Sequence, residues 1–106
     1  MAEALAIIVT EAPGPRFAAA VELAATWNAL DRSVGVLLKE GAVAALRRPE
    51  VARALDSLWT DGVWVGVCQS SLAAIGLSAA DLPAGVEALG LVAFLADRPG
   101  AQVMIV

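Results

Sequence analysis

The chain contains no histidine, and that gap removes a large part of catalytic chemistry. Without an imidazole there is no Ser-His-Asp triad, no Cys-His pair and no imidazole ligand. The common hydrolase and zinc mechanisms are therefore excluded, and no metal or cofactor is expected. Cysteine occurs once, as Cys68. A lone thiol cannot build an internal disulfide framework and suits a reducing compartment. Charge is scarce as well: Asp, Glu, Lys and Arg make up 17% of the residues and sum to −4. A groove that tracks phosphates needs clustered Lys and Arg. Only Arg47 and Arg48 are adjacent, so no nucleic-acid partner is expected. Long apolar runs are missing too. A membrane span needs ~20 largely apolar residues, and here Glu, Asp, Arg, Gly or Pro interrupts every long stretch. The opening Met1-Ala2-Glu3-Ala4 lacks the basic start of a secretory leader, and residues 5–9 are too short for its apolar core. The expected location is the cytoplasm, with no membrane partner.

Apolar side chains are what the chain has in plenty, at 59% of 106 residues. That length fits one domain, residues 1–106, and no more. A domain so small hides only about two-thirds of its unfolded surface, less than this composition offers. The excess is expected to be buried between copies, which makes the chain a homo-oligomer.

Residues 5–10, Leu-Ala-Ile-Ile-Val-Thr, form a short continuous apolar run with β-branched members. Such a run marks a strand buried on both faces. Two prolines and a glycine in residues 11–15 force a turn. A helix over 16–30 follows, with Phe17, Ala20, Val21, Ala24 and Trp27 on one stripe. Residues 34–38 read as a second buried strand, and a short helix over 42–47 comes after the turn at Lys39-Glu40-Gly41. Pro49 restarts the chain as a first-turn residue, and Val51, Leu55, Leu58 and Trp59 give the next helix its stripe. Residues 63–67 are the third strand, which delivers Cys68 to a helix opening at Gln69 and ending near Gly76. Ser78 is placed to cap another helical turn, and Pro83-Ala84-Gly85 leads into a very short strand near Val86. A helix over 88–96 and a strand over 102–106 complete the chain. Strands alternating with helices, with no hairpin signal between them, predict an α/β fold. It is read as a three-layer α/β/α sandwich, covered on both faces, around a mainly parallel sheet of about five strands.

In such sheets, chemistry collects outside the carboxyl ends of the strands. Three segments reach that edge: Thr10-Glu11, Lys39-Glu40-Gly41 and Cys68-Gln69-Ser70. A helix N-terminus favours an anion, because its first N–H groups lack partners, and this lowers a thiol's pKa. The N–H groups of Ser70 and Ser71, and both hydroxyls, are placed to face the sulfur of Cys68. A persulfide is also an anion and would be held by the same donors. Against this stands the habit of free cysteine to pack as a small hydrophobe, and the residue type alone leaves both readings open. Glu11, Glu40, Gly41 and Gln69 are candidates to orient a ligand, or are solvated turn residues. Trp27, Trp59 and Trp64 are read as core or subunit interface. The Pro-Gly-Pro turn lacks the glycine spacing and lysine of a phosphate loop.

The order of segments resembles the DsrE/DsrF-like family of small sulfur-relay proteins, which includes TusD-type subunits. The likeness rests on the opening strand, the Ala-rich helix after a Pro/Gly turn and the stretch Leu-Leu-Lys-Glu-Gly-Ala-Val at 37–43. It continues through Val-Gly-Val-Cys-Gln-Ser-Ser-Leu-Ala-Ala-Ile-Gly at 65–76 and Gly-Val-Glu at 85–87. Its most informative part is the cysteine at the end of the third strand, with small residues after it and a glycine eight positions on. The resemblance implies that Cys68 accepts a persulfide and passes it to a partner protein, as a sulfurtransferase or sulfur carrier. It also implies a homotrimer or hexamer, with a sulfur donor or acceptor protein as partner. Ala74-Ile75 stand where sulfur-carrying relatives often have basic residues. Two other functions compete: a catalytically silent assembly subunit with Cys68 merely packed, and a small-ligand module using Glu11, Glu40 and Gln69.

Overall fold

Two strands whose every residue is buried stand inside the sheet: β1 (Leu5–Val9) and β2 (Val34–Leu38). The computed structural model describes residues 4–83 and 85–106. Ala84, in the turn expected at 83–85, and the opening residues 1–3 lie outside that description. Three further strands, β3 (Trp64–Cys68), β4 (Glu87–Leu89) and β5 (Gln102–Ile105), complete a sheet of order β4-β3-β2-β1-β5. Every neighbouring pair is parallel. The α/β fold with a five-stranded parallel sheet is therefore the one expected.

Alternation sorts the side chains between two faces. On one face Leu5, Ile7 and Val9 join Val34, Val36, Leu38, Val65 and Val67 in the larger core cluster. That face is covered by α1 (Pro15–Ala29) and α3 (Pro49–Thr60), which bury Phe17, Ala20 and Ala24 and Val51, Leu55 and Leu58 respectively. Both helices begin with proline, whose fixed φ and missing N–H cost nothing in a first turn. Two short helices, α2 (Gly41–Ala44) and α4 (Gln69–Ala74), pack together at the carboxyl edge. A 3₁₀ turn over Ala45–Arg47 replaces the second half of the helix expected at 42–47.

The opposite face has thinner cover. Ala6, Ile8 and Leu37 pack on Phe94 of α5 (Leu91–Ala96), a helix of 6 residues. Side chains lying flat on the sheet extend that cover. The Trp64 ring lies 5.4 Å from Phe94, and the Arg98 guanidinium sits 4.6 Å from Trp64 and 4.4 Å from Phe94. Both need a smooth floor: a Cβ at Gly35 would strike Arg98, and one at Gly66 would strike the Trp64 indole. Arg98 Nη1 also donates to the Phe94 carbonyl at 3.0 Å. Burial lowers the Arg98 pKa, against the pull of Asp97 and Glu87.

The structure corrects two expectations. Residues 87–89 form β4, and the helix expected from 88 starts only at Leu91. A short apolar run reads equally as strand or helix, and here the free edge of β3 decides, pairing Gly66 with Glu87 and Cys68 with Leu89. Cover on both faces also fails at β5, whose four residues are all exposed. Among the described residues, no helix is long and apolar enough to cross a membrane.

Candidate functional site

β3 ends at Cys68, which is also the N-cap of α4, so strand and helix together fix its side chain. Extended backbone at Cys68 (φ −62°, ψ 123°) turns directly into helix, and the first turn carries Ser70 and Ser71. The Ser70 hydroxyl oxygen lies 3.2 Å from Cys68 Sγ. Burial pushes the thiol's pKa up, but the Ser70 hydroxyl, the Ser71 N–H and hydroxyl, and the Ser70 N–H outweigh it and lower it to about 7. All four groups donate toward the charged form, which a thiolate needs and a thiol does not.

Two more groups come from the neighbouring strand. Lys39, directly after β2, places Nζ 3.9 Å from Cys68 Sγ. It is the only lysine in the chain. The next residue, Glu40, sits at φ 50°, ψ −122°, a region that side chains other than glycine's rarely tolerate. That twist aims the Glu40 N–H at Ser71 Oγ, to which it donates at 3.0 Å. The Ser71 hydroxyl thus accepts from the Glu40 amide and also favours the anionic sulfur, tying the turn after β2 to the site.

Cys68 is only 2% exposed, so the thiol is not open to solvent in this conformation. Its cover differs from an aliphatic wall. Gln69 and Ser70 are exposed, while Lys39 and Ser71 are half-buried. Those side chains can move without unfolding anything, Lys39 most easily because its stem has four rotatable carbons.

The other residues expected at this edge divide. Ser70, Ser71 and Glu40 gather at the sulfur, Glu40 through its backbone rather than its carboxylate. Gly41 holds the α2 start close to β1, since a Cβ there would stand 3.2 Å from the Thr10 carbonyl oxygen. Thr10 does not join the site; its N–H and hydroxyl both go to the Val106 carbonyl, at 2.9 and 3.0 Å. Glu11 lines a separate hollow of about 180 Å³ with Pro13, Pro15 and Arg16, which neither Glu40 nor Gln69 borders. Gln69 opens α4 and points no identified bond at the sulfur. A larger groove of about 330 Å³, bordered by Phe17, Val21, Glu50 and Ala54, is likewise apart from Cys68. Among the described residues no group of three His, Cys, Asp or Glu could hold a metal ion. Lys39 is placed at this edge by the sequence, within Lys39-Glu40-Gly41, but without a role at the sulfur. The signal for that role was available: a sole lysine, in a chain without histidine, at the carboxyl end of a buried strand.

Comparison with known proteins bears on fold and kinship. No curated protein matches the chain. Among solved structures, the fold is similar to the protein of unknown function MTH1491 from Methanobacterium thermoautotrophicum. The TM-score is 0.84 at 21% identity, over 98% of this chain and 99% of that one. It is also similar to the ychN protein from E. coli, with a TM-score of 0.79 at 23% identity over 100% of both chains. The DsrE/DsrF-like family matches residues 3–96. With that match spanning most of the sequence and the same parallel fold in both neighbours, the chain belongs to the DsrE/DsrF-like family.

Proposed function

We propose that the protein is a sulfur-relay subunit and that Cys68 carries the sulfur. The observation that supports it is a thiol brought to about 7 by four donors, with an ammonium 3.9 Å away. In the loading step, the Cys68 thiolate attacks the sulfane sulfur of a donor persulfide. A Cys68 S–S bond forms, the donor's S–S bond breaks, and the donor leaves as a thiolate. In the unloading step, an acceptor thiolate attacks the outer sulfur and Cys68 departs as a thiolate. Both steps begin and end with anionic sulfur, so groups that hold an anion serve throughout.

The partners are a sulfur donor or acceptor protein and further copies of this chain, as a trimer or hexamer in the cytoplasm. Exposed Val92, Val103 and Ile105 support assembly, since each is an apolar side chain left in water. Transfer is tested by incubating the protein with a persulfide donor, removing the donor, adding an acceptor thiol and measuring sulfur delivered. Delivery is expected from the wild type and not from Cys68→Ser. Equal delivery from both removes Cys68 from the role.

One observation favours a second reading, a silent assembly subunit: the 2% exposure of Cys68. That reading expects native Cys68 to resist alkylation at every pH while the unfolded chain reacts.

A further inference from the structure

We infer that β5 is a docking edge for β5 of a second copy, paired antiparallel about a two-fold axis through Met104. This goes beyond the sulfur-relay reading and does not depend on Cys68. Among the described residues β5 is an outer strand, paired with β1 alone. Gln102 and Val106 donate their N–H groups inward to Ala4 and Ile8. Alternation along the strand therefore turns the N–H and C=O groups of Val103 and Ile105 outward, without a strand to receive them.

The side chains on this edge are apolar as well. Val103 is 48% exposed, Met104 40% and Ile105 71%. Val103 and Ile105 on one face of the strand, and Met104 on the other, thus flank the unpaired backbone groups with apolar side chains open to water. Val103 and Ile105 share the face of Ala6 and Ile8, their register partners on β1. Val92, 83% exposed on the helix covering that face, adds to the same side. Natural edges are usually guarded by charge, proline or a bulge. The segment 102–106, Gln-Val-Met-Ile-Val, carries no charge and no proline.

A second copy fits because the edge is complementary to itself. A two-fold axis normal to the sheet at Met104 sets Val103 opposite the partner's Ile105, and Ile105 opposite the partner's Val103. Both of those pairs consist of outward-facing residues, so each exchanges two backbone hydrogen bonds. Opposed side chains also stay on the same face, apolar against apolar. Closure follows from the other edge of the sheet. β4 has only 3 residues and an exposed Glu87, so it offers no equivalent surface. One sticky edge per copy makes a closed pair rather than a filament. An assembly built on this contact has an even number of chains, which selects a hexamer over a trimer.

Two measurements test this. The Met104 positions face each other as a non-hydrogen-bonded pair, with Cα atoms ~4.5 Å apart, within reach of a disulfide. In a Cys68→Ser background, mild oxidation should cross-link Met104→Cys into a covalent dimer. Ile105→Cys should stay uncoupled, because its own copy lies diagonally ~7–8 Å away. Separately, Ile105→Pro deletes only an outward N–H and leaves the ladder to β1 whole. By light scattering, its assembly mass should be half that of the wild type, with an unchanged circular dichroism spectrum. A wild-type monomer or trimer overturns the inference. So does a folded Ile105→Pro protein of full mass, or cross-linking at 105 without cross-linking at 104.

Discussion

Replacing Ser70 with alanine removes the donor that does most to lower the Cys68 pKa, at 3.2 Å from the sulfur. Hydrogen bonds to charged groups contribute roughly 1.5–3 kcal/mol. Sulfur is a weak acceptor and Ser70 is exposed, so water partly replaces the lost hydroxyl, and the low end applies. One pKa unit corresponds to ~1.36 kcal/mol, so the thiol should move from about 7 to about one unit higher. At pH 7 the thiolate fraction then falls from about one-half to about one-tenth. A more basic thiolate is also a better nucleophile, by about threefold per unit at a Brønsted slope of ~0.4–0.5. The two effects oppose, and the rate at pH 7 drops only about twofold. The informative quantity is therefore the midpoint of the alkylation rate against pH, read by mass spectrometry. The plateau at high pH reports access, and the midpoint reports acidity. Coincident midpoints for wild type and Ser70→Ala, or a wild-type midpoint above that of an ordinary thiol, would refute the donor argument.

Four further outcomes follow from the same geometry. Lys39→Met should raise the alkylation midpoint and Lys39→Arg should largely preserve it, because only the first deletes the charge 3.9 Å from Sγ; equal midpoints in a pH titration would remove Lys39 from the site. Stability should also depend on this thiol. Its folded pKa of about 7 lies below the ~8.5 of an unfolded cysteine. The contribution is therefore full above about pH 8.5 and lost as pH falls through 7. Discounted for its thin cover, it is on the order of 1 kcal/mol, visible as wild type gaining on Cys68→Ser between pH 6 and 9 in denaturant titrations. Glu40→Gly relieves a backbone at φ 50° and should stabilise by about 1 kcal/mol in the same assay, with no change in the alkylation midpoint. Gly35→Ala pushes the flexible end of Arg98 off the Trp64 and Phe94 rings and should cost about 0.5–1 kcal/mol, measured as a lower denaturation midpoint.

The inner part of the fold was legible because burial on both faces writes itself into sequence. Residues 5–9 and 34–38 contain nothing polar, and that pattern has few meanings in a chain of this length. β4 was not legible in the same way. Three residues carry no period, and the decision belongs to β3, whose open edge lies some twenty residues earlier. The position of Cys68 at a strand end followed from the topology, and so did the two serines that face it. The place of Lys39 at the same edge was legible, but its approach to Cys68 required knowing that β2 lies beside β3. Glu40 was found for the wrong group, since its amide rather than its carboxylate reaches the site. Thr10 looked equivalent to Cys68 at its own strand end. Only the pairing of β5 with β1 reveals that Val106 occupies both of its donors.

The most direct test is the intact mass of the folded protein after brief exposure to inorganic polysulfide. A single added sulfur, mapped to the peptide containing Cys68 and removed by a reductant, is the predicted result. No added sulfur on the folded protein, alongside ready loading of the same chain unfolded in urea, would contradict the assignment.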